Sequence, residues 1–285
     1  MSKSVEPGTV PGQPRPADGV GPRIAQAFEH ARRQGRAALV AYLTMGYPTL
    51  DAALELVPAL VRGGADIIEL GVPFSDPVAD GPTIEAASHA ALANGMTPDL
   101  CLEQAAALRR QGVDRPLILM GYYNPILAQG IERHAQRCQV AGIDGLIVPD
   151  LPPEEAQELR AACDQRGLAL IYLAAPTTDS QRLQRLAQET RGFLYVVSRL
   201  GTTGAVGTGA MQADPTADDG LRSQLALARE GRAPVAVGFG VSRAEDVRAL
   251  ARLADGVIVG SAIVRRAPDG PSAVEAFVRE LGAAL

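Results

Sequence analysis

The stretch Asp66-Ile-Ile-Glu-Leu-Gly-Val-Pro-Phe-Ser-Asp-Pro-Val-Ala-Asp-Gly-Pro-Thr83 passes from an apolar run through a proline-punctuated loop into a segment with helical character. Its opening run is too short for a helix and is apolar on consecutive positions, as in a strand covered on both faces. The same succession recurs along the chain. Apolar runs lie at Ala38–Thr44, Asp66–Val72, Leu117–Tyr122, Gly145–Pro149, Ala169–Ala174, Phe193–Ser198, Val235–Gly238 and Gly256–Gly260. Between them Ala52–Arg62, Glu154–Arg166 and Arg243–Leu253 carry Leu, Ala and Val at helical spacing.

Eight strand-helix units within about 250 residues predict a single (β/α)8 TIM barrel, an α/β fold occupying residues 21–285. A doubly wound open sheet would need fewer strands or a second domain. An N-terminal helix is expected from about Arg23 to Gln34, after a Pro/Gly-rich tail, residues 1–20, that is expected to be disordered.

Composition narrows the chemistry. A formal charge of -5 provides no basic field for nucleic acid, and no apolar segment is long enough to span a membrane. No signal pattern opens the chain, so a cytoplasmic protein is expected. Cys101, Cys138 and Cys163 are widely spaced and read as buried thiols, and His30, His89 and His134 show no metal-ligand spacing, so no metal is expected. The sole lysine, Lys3, lies in the tail. Schiff-base chemistry needs a pocket amine and is therefore closed to the chain, and no cofactor is expected.

In this fold the reacting groups sit where strands run into the following loops. Glu69, Asp80, Tyr122, Asn124, Asp150, Tyr195, Ser198 and Arg199 all fall there. Glycines at Gly238-Phe-Gly240, Gly260-Ser261 and Gly201-Thr-Thr-Gly204 suit a small phosphate site, because backbone N–H groups can approach an oxyanion closely. Glu69, flanked by Ile67, Ile68, Leu70 and Val72, is either a carboxyl whose pKa burial raises for proton transfer or half of an ion pair with an arginine. The polar loop is expected to keep Asp80 ionised. Asp76 and Asp80 also suit ordinary turn chemistry, Asp150 could start the next helix, and Tyr195 could be packing.

The segment from Glu69 to Thr83 resembles the signature of the tryptophan synthase α subunit family. Similar matches occur in family order at Leu43–Pro48, Met120–Pro125, Val148–Pro152, Tyr195–Arg199, Gly201–Ala205, Gly238–Gly240 and Gly260–Val264. The resemblance spans residues 22–285 and implies retro-aldol cleavage of indole-3-glycerol phosphate to indole and glyceraldehyde 3-phosphate. It implies catalytic roles for Glu69, Asp80 and Tyr195, phosphate contacts from Gly204, Gly240, Gly260 and Ser261, and an indole pocket of Tyr42, Met120, Tyr122 and Ile147. Tyr42 stands where phenylalanine is common and adds a hydroxyl.

The resemblance also implies a β-subunit partner in an αββα assembly, met by Asp76 and Pro77. The stretch Val206–Gly220 is longer and richer in glycine than the family's mobile loop. That departure keeps two alternatives open: a stand-alone lyase, and a barrel that mainly binds and activates its partner.

Overall fold

The structure, a computed structural model, describes residues 20–198, 219–238 and 240–285. Its strands are β1 (Ala38–Thr44), β2 (Ile67–Gly71), β3 (Leu117–Met120), β4 (Gly145–Ile147), β5 (Ala169–Ile171), β6 (Leu173–Ala174), β7 (Leu194–Val197), β8 (Val235–Gly238) and β9 (Gly256–Val259). All pair in parallel, in the order β5-β4-β3-β2-β1-β9-β8-β7-β6. β5 and β6 are two pieces of the fifth expected strand, separated only by Tyr172, whose carbonyl still accepts from Tyr195 N–H at 3.0 Å. The eight staves therefore close into the expected barrel.

Helices wrap the outside: α1 (Pro22–Arg33), α2 (Ala53–Arg62), α3 (Pro82–Ala93), α4 (Pro98–Arg110), α5 (Tyr123–Gln129), α6 (Ile131–Val140), α7 (Gln157–Asp164), α8 (Ser180–Glu189), α9 (Asp219–Ala228), α10 (Ala244–Ala251), α11 (Ser261–Arg266) and α12 (Pro271–Gly282). Local chemistry sets several starts. Thr97 caps α4 by accepting from Leu100 N–H, Asp179 caps α8 by accepting from Arg182 N–H, and prolines open α1, α3, α4 and α12 where an N–H would have no helical partner.

Side-chain alternation divides the core into two layers. Leu39, Ala41, Ile68, Leu119 and Leu146 face the helices. Ala38, Val40, Ile67, Ile118, Ile147, Phe193, Tyr195 and Ile258 face the barrel axis. The helix α1 seals the strand-start end: Ile24 and Phe28 join the axial cluster, the Phe28 and Phe193 ring centroids lie 5.6 Å apart, and Gly21 N–H donates to the Gly167 carbonyl ahead of β5.

Three aspartates bind the strand starts to one another. Asp66 accepts from Leu39 N–H, Asp144 from Leu117 N–H and Asp255 from Val235 N–H, each at 2.8–2.9 Å, so each strand start is tied to the strand before it. Asp66 also pairs with Arg36, and Asp144 with Arg109 and Arg23. All three cysteines are buried and free, as the sequence predicts. Among the described residues no helix is long and apolar enough to cross a membrane, and no cluster of His, Cys, Asp and Glu could hold a metal.

Candidate active site

Glu69 sits in β2 on the axial face of the wall, level with Tyr42 on β1 and Ile118 on β3. It is 1 % exposed, and its Oε2 has no hydrogen-bond partner among the described residues. No ion pair reaches it among the described residues, which do not include Arg199. Burial, and then the Asp80 charge, raise its pKa to about 8. The carboxyl is therefore protonated at neutral pH, with an oxygen that none of the described residues claims.

Asp80 is half-buried in the loop between β2 and α3. Burial raises its pKa to about 6, a hydrogen bond with Tyr122 pulls it down, and Glu85 pushes it up. It is ionised at neutral pH as expected, but closer to titration than a polar turn alone would leave it. Two carboxyls of one strand-loop unit thus hold different protonation states, the arrangement that assigns an acid and an anion to separate roles.

Tyr42 and Tyr195 flank Glu69 and are both buried. Each fills room left by a glycine: a Cβ at Gly71 would meet the Tyr42 hydroxyl at 2.2 Å, and one at Gly238 would meet the Tyr195 hydroxyl at 2.7 Å. Tyr42 Oη lies 3.3 Å from Thr44 Oγ1. Burial raises the pKa of both phenols, so they stay neutral. Met120 packs with Tyr42, and Ile147 lies in the axial cluster with Tyr195.

A model of the family described as "Tryptophan synthase alpha chain" matches residues 28–283. The chain belongs to the tryptophan synthase alpha chain family. It is 49% identical over 267 residues to the tryptophan synthase alpha chain of Roseiflexus sp. (strain RS-1), covering 91% of this chain and 98% of that one. The Dehalococcoides mccartyi protein of the same name is 46% identical over 92% of this chain and 99% of its own length. A solved tryptophan synthase structure from Mycobacterium tuberculosis superposes with a TM-score of 0.82 at 38% identity, over 92% of this chain and 97% of that one. The chain is accordingly a lyase of tryptophan biosynthesis.

Of the residues this family membership brings into view, Gly240, Gly260 and Ser261 gather past the ends of β8 and β9. Gly240 has φ +75°, a conformation that glycine adopts without steric cost, and Ser261 opens α11 with Gly260 ahead of it and beside Tyr42. Gly204, Arg199 and the stretch 206–218 lie outside the described residues. Asp76 is exposed on the same loop as Asp80, with Pro77 half-buried beside it and Val78 80% exposed at the tip.

One placement departs from the sequence reading. Asp150 does not start its own following helix. It accepts from Tyr123 N–H, the first residue of α5, at 3.0 and 3.3 Å. The hydroxyl of Tyr122 accepts from Ala79 N–H at 3.0 Å, and its ring stacks on Phe74 with centroids 5.1 Å apart. No local pattern marks that contact, since Tyr122 and Ala79 stand 43 positions apart. A cavity of about 20 Å³ bordered by Phe74, Leu119, Tyr122, Leu146, Ile147 and Val148 has room for little more than one water.

Proposed function

We propose that residues 21–285 form one catalytic domain that cleaves indole-3-glycerol phosphate, with Glu69 and Asp80 carrying the chemistry at the strand-end mouth of the barrel. The observation that carries the reading is Glu69 itself: axial, buried, unpaired among the described residues and protonated at neutral pH. Its proton passes to indole C3, which turns the ring into an iminium cation. Ionised Asp80 accepts the ring N–H and stabilises that cation as it develops. The glutamate, now a carboxylate, takes the proton of the adjacent side-chain hydroxyl. The bond between C3 and the hydroxyl-bearing carbon breaks, its electron pair returns to the indole, and the other fragment leaves as glyceraldehyde 3-phosphate. Glu69 ends protonated, so the cycle closes with no added group.

Tyr195 packs beside the reacting carbons as a neutral phenol. Gly204, Gly240, Gly260 and Ser261 bind the phosphate, and Tyr42, Met120, Tyr122 and Ile147 enclose the indole. The protein works in the cytoplasm with a tryptophan synthase β subunit, as an αββα assembly. Asp76 and Pro77 meet that partner, a reading supported by the exposure of Asp76 and Val78 at the loop tip. The test is indole release by the purified chain from indole-3-glycerol phosphate, alone and with a β subunit. Slow release that the partner stimulates is expected. Fast release that ignores the partner would point to a stand-alone lyase, and none under either condition would refute the assignment.

A further inference from the structure

We infer that Tyr122 is a positioning residue, which sets the place and charge of Asp80 by clamping the loop that carries it. The inference rests on the role given to Asp80 above.

Three consecutive strand-end loops are bound together at this point. Beyond the strands proper the ladder continues, with Val72 N–H donating to the Met120 carbonyl at 2.8 Å and Gly121 N–H to the Ile147 carbonyl at 3.0 Å. Asp150, on the loop after β4, then fixes the first N–H of α5 at Tyr123. That contact sets the direction in which Tyr122, the preceding residue, leaves the wall. Its side chain is 5 % exposed and crosses to the β2 loop, where the ring lies against Phe74 and the hydroxyl oxygen takes the Ala79 N–H. A phenol that accepts from one group still has a proton to donate. Asp80 is the next residue, close enough for the hydroxyl to lower its pKa. A single oxygen thus fixes the backbone before Asp80 and supports its carboxylate. Such support favours the charged form, against the burial that disfavours it.

Among the described residues, the other groups that face Asp80 work against ionisation or are neutral: Glu69 on β2, Glu85 on α3, Tyr42 on β1 and Tyr195 on β7. Tyr122 is, among the described residues, the group that pulls the other way. Its loss should therefore act on charge as well as on geometry.

The test uses the full chain with its β subunit and compares wild type, Tyr122→Phe, Asp80→Asn and the double variant. Tyr122→Phe keeps the ring and removes the hydroxyl. Its kcat should fall roughly tenfold, with KM changed by less than about threefold, because misplacement of a group used in the transition state appears mainly in kcat. The acid limb of its kcat/KM profile should rise by about one pH unit, the worth of one hydrogen bond to a charged group. In the Asp80→Asn background the same substitution should cost less than about twofold. Thermal melts confirm folding. Asp150→Ala, which loosens the start of α5, gives a second reading with a smaller loss and an acid limb moved the same way. An unmoved acid limb in a folded Tyr122→Phe, or losses that multiply in the double variant, would overturn the inference while leaving Asp80 in place. Full turnover by Asp80→Asn would overturn the Asp80 assignment and the inference together.

Discussion

Tyr42 and Glu69 stand side by side on the axial wall, paired in register across β1 and β2, with the phenol reaching over Gly71 two residues beyond the glutamate. With a neutral ring on one side and Ile118 on the other, the carboxyl meets no counter-charge among the described residues. Its protonation is set by what is kept away from it as much as by what surrounds it.

This setting fixes the pH dependence. Cleavage needs Glu69 protonated and Asp80 ionised. Activity should rise as pH passes about 6, where Asp80 loses its proton, and fall as pH passes about 8, where Glu69 does. A bell-shaped kcat/KM profile for the free chain is expected, and a rate that stays flat from about pH 5 to pH 9 would refute the division of roles.

Glu69→Gln should abolish turnover while keeping affinity for a phosphate-bearing substrate analogue within a few fold, because size is preserved and proton transfer is lost. The same change should also alter stability. A carboxyl whose folded pKa of about 8 lies above its ordinary 4.5 favours folding fully only below the lower value, and that contribution drains away as pH rises to the upper one. Wild type should therefore lose ground to the variant between about pH 5 and pH 8, by at least about 3 °C in thermal melts. A pH-independent gap would count against a buried, raised carboxyl.

Much of this was legible in the chain. The eight apolar runs stand out because strands buried on both faces carry no polar alternation. Glu69 stands out because a carboxyl inside such a run has few reasons to be there. What the sequence hid was contact between distant positions. The phenol of Tyr42 needs Gly71, 29 positions on, and the hydroxyl of Tyr122 needs the backbone of Ala79. Asp150 resembled the start of its own helix because residue type marks a cap, whereas the partner it serves is set by the lateral packing of neighbouring loops.

Gly71→Ala should show the cost of that first dependence. The new Cβ would lie 2.2 Å from the Tyr42 hydroxyl, 2.6 Å from Cζ and 2.7 Å from Cε2, so the ring must shift. A loss of about 1–3 kcal/mol is expected in denaturant titration, together with reduced turnover. Adding Tyr42→Phe should restore part of both, since the closest atom is then gone and two ring carbons remain crowded. A variant as stable and active as wild type would show that the slot is not tight.

Asp144 offers the opposite case, at the end of the barrel away from the chemistry. It binds Arg109 at 2.5 Å, Arg23 at 2.9 Å and Leu117 N–H at 2.9 Å, with its side chain 5% exposed. Asp144→Ala leaves the largely buried Arg109 without its counter-ion and should cost about 3–5 kcal/mol. Below its melting temperature the variant should keep a near-normal kcat. A selective loss of kcat with unchanged stability would contradict the separation of the two ends.

The seal formed by α1 has a practical consequence. The described chain begins at Val20, packed among axial residues at the sealed end, and Gly21 is anchored there through Gly167. Whatever is spliced upstream of Val20 joins the molecule on the side facing away from Asp80 and from the exposed tip at Val78. A carrier joined directly at Val20 would accordingly enter on the side away from the catalytic mouth, and a coupled assay on a chain immobilised in that way should run at the rate found in free solution.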